Sequence, residues 1–394
     1  MGGQSDKPEH LGLSPLMQHI FFSRLVRHTF FAMELAKRER SWSFTKGLSK
    51  TSPSEVLETC ARRDGRGHAD SALVMFHQYS LEGKNNRSRV VWIRRHSMWL
   101  GFVESLVSAF KCASGLPLGP EKHSISAAKS ERHGRRRVTV LICSPHPDDE
   151  ALVGGFALRA LQESNARVIN CAITLGADTK RKQERLRELR ASCAVLGFEL
   201  KIAGWPRILG LENVEPQGAK GDPQRWRVNH ALLKSVFEYA KPDVVLMPHA
   251  GDFHRTHKAT HQLAVEVAAE YSRRIRGKRL LLLETEYWHP MEKPNLMVGI
   301  TSADVAALIM AVAEHGGEVR RNPYHLRHPA RMIDNVRRGS EVIKGEGASA
   351  EAFMFAELYR VSAITNGAQK NTTKWKIMPP DRPLKIRELY ALFD

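Results

Sequence analysis

The clearest regularity in the chain is a set of short apolar runs, each closed by a polar cluster, beginning near residue 138. Val138-Thr-Val-Leu-Ile-Cys143 is apolar and β-branched almost throughout, the texture of a strand covered on both faces. Ala166-Arg-Val-Ile-Asn-Cys-Ala-Ile-Thr174 repeats it after a stretch with helical Ala and Leu spacing. A charged helix is predicted over Lys180 to Leu196, closed by Gly197, with a third strand around Phe198 to Ile202. Asp243-Val-Val-Leu-Met247 and Leu280-Leu-Leu-Leu-Glu284 continue the series with helices between them. This alternation predicts an α/β fold: a Rossmann-like, mostly parallel sheet with helices on both faces.

Upstream the pattern differs. From Ser14 to Lys37 the residues Met17, Ile20, Phe21, Leu25, Phe31 and Leu35 recur at near-helical spacing, interleaved with Arg24, Arg27 and Lys37. They predict an amphipathic basic helix, packed on the main domain or, as the second reading, making peripheral contact with a membrane surface. Residues 38–97 carry too little periodicity to assign. Gly115 to Arg137 turns to Gly, Pro, Ser and Lys and reads as a linker, which sets a boundary near residue 136. The expected organisation is a basic, mainly helical or irregular N-terminal extension (1–135) and a catalytic domain (136–394). The extension is an accessory domain, an association surface, or sequence upstream of the true start, with Met98 an internal candidate.

Composition narrows the class. The chain of 394 residues carries a net charge of +18. Residues 1–137 hold 23 basic and 12 acidic side chains against 37 and 30 in the remainder, so the excess is concentrated in the N-terminal third. A basic surface attracts polyanions, anionic lipid or acidic substrates without choosing among them. No nucleic-acid module is recognisable, and no specific nucleic-acid partner is expected. The longest apolar stretch, Met98 to Phe110, is short of the roughly 18 residues of a membrane span and contains Glu104. Five cysteines form no CxxC pair, and the N-terminus lacks a secretory pattern, so a reduced, cytoplasmic protein is expected. Asp6 stands where a myristoylation motif has Ser or Thr. Gly154-Gly155 lacks the GxGxxG spacing of a dinucleotide site.

In such a sheet, ligands bind beyond the carboxyl ends of the strands. The first strand runs into Ser144-Pro-His146-Pro-Asp148-Asp149-Glu150. Pro147 suits the first position of a helix; His146 and Asp149, three apart, then point to one side and share a metal, with Asp148 a free carboxylate nearby. The bland reading is a capped helix start with solvated acids. The fourth strand also runs into His249, Asp252, His254, His257 and His261, four histidines and an aspartate within thirteen residues. Two imidazole nitrogens and one carboxylate oxygen make a catalytic zinc set with a fourth position for water.

With these motifs the sequence resembles the LmbE-like (PIG-L) family of metal-dependent N-acetylglucosaminyl deacetylases. HPDDE after a first strand and a downstream D-x-H-x-x-H carry the resemblance. Thr174-Leu-Gly176, Arg185-Leu-Arg-Glu188 leading to Ala194-Val-Leu-Gly197, His315, and Ala356-Glu-Leu-Tyr-Arg360 add to it, over roughly 136–362. It implies that His146, Asp149 and His257 hold one zinc ion (Zn2+) per chain. It further implies that Asp148 is the general base, that His254 stabilises the developing oxyanion and that Arg185 lines the sugar pocket. The substrate class implied is an amino-sugar-containing small molecule or glycoconjugate. The chain departs from the family's His-x-Asp-His at Thr256, and Asp252 is the residue at hand to partner His254 instead.

The expected activity is removal of an N-acetyl or N-acyl group. The alternatives are another metal-dependent amide or phosphoester hydrolase, and a catalytically silent sugar- or metal-binding protein. Trp205, Trp226 and His230 are expected in a loop over the site or packed on the sheet, and Tyr287-Trp288-His289-Pro290 along a pocket. Asn322-Pro-Tyr324-His325 has no evident chemistry.

Overall fold

The computed structural model describes residues 86–120, 137–216, 218–275 and 277–394. The helix expected over Ser14–Lys37 lies outside the described residues, as do Cys60 and positions 121–136 of the linker. Ser97–Asp394 group into one compact unit, which contains every side chain discussed below.

Helix α1 (Asn86–Ser114) opens the described chain. Its residues Met98, Trp99, Phe102, Val103, Leu106, Val107 and Phe110 are exposed. No described helix is long and apolar enough to cross a membrane. The chain then joins the sheet side of the unit, where the Gly119 amide donates to the Ala313 carbonyl at 2.9 Å.

From residue 139 strands and helices alternate: β1 (Thr139–Ser144), α2 (Gly155–Glu163), β2 (Arg167–Ala172), α3 (Lys182–Leu196) and β3 (Glu199–Ile202). Then come α4 (Pro223–Ala240), β4 (Val244–Pro248), α5 (Arg255–Arg274) and β5 (Leu280–Thr285). These strands fall within a residue or two of the expected ones. Helix α3 ends at Gly197, whose φ of 72° is the left-handed cap that glycine adopts without strain.

The C-terminal part is a different construction: β6 (Leu296–Ile300), α6 (Ser302–Ala313), α7 (His328–Lys344), β7 (Phe355–Thr365), β8 (Ala368–Asn371) and β9 (Lys376–Met378). The sheet runs β3-β2-β1-β4-β5-β7-β6-β9, with β8 on β7. Its first five strands are parallel, whereas β7 is antiparallel to both β5 and β6.

The apolar runs are continuous because the sheet is covered twice. In β1, Val140 and Ile142 belong to one core with Phe156, Leu189 and Leu308, while Leu141 and Cys143 belong to the other with Leu233, Phe237 and Leu263. All of these side chains are fully buried. Burial of such side chains contributes about 1.5–3 kcal/mol each, enough to make the strands a firm base for the loops at their ends. Gly154 and Gly155 let the chain pass closely over this base: a Cβ on Gly155 would stand 2.7 Å from Ile300 and 2.8 Å from the Glu357 carboxylate.

The strand order reverses at β1. The connections through β2 and β3 go to one side and β4 lies on the other, so the crevice between the ends of β1 and β4 is the topological switch point.

Candidate functional site

Beyond β1 the chain turns sharply through His146 and Pro147 into a single helical turn, Asp149–Leu152. The helix starts two residues later than Pro147 suggests, because Asp148 takes φ 106°, ψ −29°, outside the right-handed helical region. A non-glycine residue held there costs about 1–3 kcal/mol, a strain that clusters at functional sites. The Asp148 amide donates to Glu150 Oε2 at 3.0 Å, and the His146 amide donates to Asp149 Oδ2 at 2.9 Å. These bonds turn the Asp149 carboxylate back toward His146.

Beyond β4, His254 is the residue before the first turn of α5, and His257 sits within that turn. A spacing of three puts both imidazoles on one face. Asp252 organises them: one carboxylate oxygen accepts the His254 amide at 2.8 Å and the other lies 3.2 Å from His257 Nδ1. The ring partner of Asp252 is therefore His257, not His254. The Nδ1 of His254 is buried with no hydrogen-bond partner among the described residues.

The two loops meet. His257 Nε2 is 3.3 Å from His146 Nδ1 and 3.5 Å from Asp149 Oδ2, and His146 Nδ1 is 3.4 Å from the same carboxylate oxygen. Donor atoms held about 2.0–2.1 Å from a tetrahedral ion stand about 3.3–3.4 Å apart, so this triangle has the edge lengths of three zinc ligands. With its Nδ1 proton directed at Asp252, the His257 ring would turn a lone pair at Nε2 toward His146 and Asp149, the form in which a carboxylate-anchored imidazole ligates a metal. His254 borders the triangle: one ring nitrogen from each of His146, His254 and His257 lies within 4.8 Å of the others. His257, Asp149 and Asp252 are wholly buried or nearly so, while the His146 side chain keeps 19 % exposure and marks the open side.

The charges are strongly coupled. Burial, then the neighbouring Asp149 carboxylate, push the Asp148 carboxyl up to about 7. Asp149 is held below the usual carboxylate range because His257 and His146 outweigh its burial. His257 is raised because Asp149 and Asp252 overcome burial, which acts the other way. His254 is lowered by burial and by His146 and His257, which favours a neutral imidazole.

A further shell supports Asp148. Glu150, fully buried, contacts His315 Nε2 at 2.8 Å and accepts from the Ser192 hydroxyl. The Tyr324 hydroxyl donates to Asp148 Oδ2. Arg185 lies behind the loop, its guanidinium donating to the Pro147 carbonyl at 3.2 Å and standing 3.7 Å from Glu318. The Tyr287 ring packs edge-on to His257 with centroids 4.8 Å apart.

The structure thus brings together His146, Asp148, Asp149, His254 and His257, with Arg185 one step behind them. Other conspicuous residues go elsewhere. His249 Nε2 is turned to the His289 carbonyl and His261 Nδ1 to the Pro248 carbonyl. Trp226 packs in the second core, Trp205 is exposed, and His230 faces Glu270 at 3.7 Å. The partnership of Asp252 with His257 had a local signal, an i, i+5 pair in one loop; the contact of Tyr324 with Asp148 had none.

A family model described as GlcNAc-PI de-N-acetylase, PIG-L, matches residues 141–268. That span holds both loops of the site. No curated protein matches the chain. Among solved structures, a conserved protein from Thermus thermophilus shares 21% identity, with a TM-score of 0.41 over 56% of this chain and 92% of that one. The 4-carboxy-2-hydroxymuconate hydratase GalB from Pseudomonas putida shares 18%, with a TM-score of 0.41 over 57% and 95%. The N,N'-diacetylchitobiose deacetylase from Pyrococcus horikoshii shares 17%, with a TM-score of 0.40 over 57% and 84%.

Proposed function

Residues 141–268 are a domain of the PIG-L family, and from that premise we propose that the protein is a zinc-dependent hydrolase. In this reading it removes an N-acetyl group from an amino sugar or its conjugate. The observation that carries the reading is the triangle of His146 Nδ1, His257 Nε2 and Asp149 Oδ2, with edges of 3.3–3.5 Å, beside the buried carboxylate of Asp148. His146, Asp149 and His257 would hold the ion. A zinc ion so held supplies a Lewis acid and brings the pKa of its water to about 7.

The remaining steps belong to the side chains. Asp148 accepts the proton of the attacking water and returns it to the amide nitrogen, so that acetate and a free amine leave. An Asp148 pKa near 7 suits both directions of that transfer. His254, neutral, donates one N–H to the carbonyl oxygen as negative charge develops; one such donor lowers the barrier by about 3–4 kcal/mol. Arg185, through the Pro147 carbonyl, steadies the turn that carries Asp148, and in this reading it would line the sugar pocket.

The test is to load the protein with zinc, supply N-acetylglucosamine conjugates and quantify acetate and free amine together. Stoichiometric zinc with release of both products is expected, and Asp148→Asn should cut release to a small residual rate, about 100- to 10,000-fold lower, while retaining the metal. A native protein that takes up no divalent ion would refute the proposal.

A further inference from the structure

Asp148 is fixed at the backbone by its left-handed conformation and by the bond from its amide to Glu150 Oε2. Neither restrains the carboxylate plane. Among the described residues the hydrogen bond to that carboxylate comes from Tyr324, whose hydroxyl donates to Oδ2 across 176 positions of the chain. Tyr324 is itself well held. It begins a 3-10 turn, Tyr324–Leu326, whose first residue donates its amide to the Asn322 carbonyl at 2.7 Å and whose carbonyl accepts from Arg327 at 3.0 Å. The Trp288 indole stands edge-on to its ring at 5.9 Å.

We propose that Tyr324 is a positioning residue for Asp148: its phenol ties down Oδ2 and leaves Oδ1 as the atom that exchanges a proton with water and amine. The inference rests on the deacetylase reading of the same site. Burial and the adjacent carboxylate raise the Tyr324 phenol above its ordinary range, so it stays protonated and donates rather than serving as the acid itself. A carboxylate that swings about its χ angles loses the near-attack alignment on which proton transfer depends.

Tyr324→Phe is expected to lower kcat about 10- to 100-fold, the usual cost of removing an orienting partner, with KM changed less than about twofold and zinc content unchanged. In an Asp148→Asn background the same change should leave the residual rate unaltered, because the tyrosine acts through Asp148. A merely structural role would lower that rate too and would overturn the proposal, as would a Tyr324→Phe enzyme with native kcat. A melting-temperature cycle of Tyr324→Phe, Asp148→Ala and the double variant, run without metal, reads the contact independently of activity. Non-additive shifts support it and additive shifts refute it. A native protein that releases no acetate would sink the deacetylase reading while the melting cycle still decides the contact.

Discussion

Replacing Asp148 by Asn should make the metal-free protein more stable at alkaline pH while removing all but a residual part of its activity. The carboxyl is 7 % exposed, sits beside Asp149 and titrates near 7 in the fold against 3.8 for the unperturbed group. A raised carboxyl pKa means that the folded chain binds the proton more tightly than the unfolded one. Its contribution is therefore fully present below about pH 4 and is lost as pH rises through about 7. A difference of about three units corresponds to about 4 kcal/mol at pH 8, an upper figure. Asparagine is neutral and nearly isosteric, and its side-chain oxygen still accepts from Tyr324, but its amide gains no partner. A net gain of about 2 kcal/mol follows, a rise in Tm of about 3 °C for a unit of this size. Thermal melts in chelator at pH 5 and pH 8 measure it. An Asn variant that melts below the native protein at pH 8, or a gap of the same size at both pH values, would refute the reasoning.

Three further outcomes follow from the same geometry. Asp252→Asn should weaken zinc binding about 10- to 100-fold in competition titrations, since it frees the His257 ring from its carboxylate. Because Asp149 and Asp252 raise His257, protonation of its ring competes with metal binding; zinc affinity should climb as pH rises from 6 to 8, with proton release seen as buffer-dependent heats in calorimetry. Gly155→Ala drives a methyl to within 2.8 Å of both Ile300 and the Glu357 carboxylate, and should destabilise by about 1–3 kcal/mol in denaturant unfolding without changing the metal stoichiometry.

The first half of the domain was legible in the chain because β1, β4 and β5 are near-continuous apolar runs, and β1 and β4 hand over to clusters of His and Asp. Two such handovers, at Ser144 and Pro248, locate the switch point without any knowledge of pairing. The second half was not. Strand β7 is internal to the sheet yet carries Glu357, Arg360 and Ser362. Its polar residues are accommodated outside the strand, Glu357 by the distant Gly155 amide and Ser362 by Gln369 on the adjoining β8, so no apolar run marks it as a strand. The second layer of the site was hidden for the same reason. The ring that Asp252 orients is decided by the first turn of α5, and the tyrosine that touches Asp148 arrives from a segment whose nearest neighbours in sequence have no chemistry to suggest it.

The site also bears on how the sheet holds together. Strands β1 and β4 share only three register pairs, from Val140–Val244 to Ile142–Leu246, so the ladder between them ends before the loops that follow. An ion gripped by His146 and Asp149 on one flank and His257 on the other would act as a stitch at its open end. Chelation should then speed amide hydrogen exchange first at the mouth of this seam, well before the outer strands loosen.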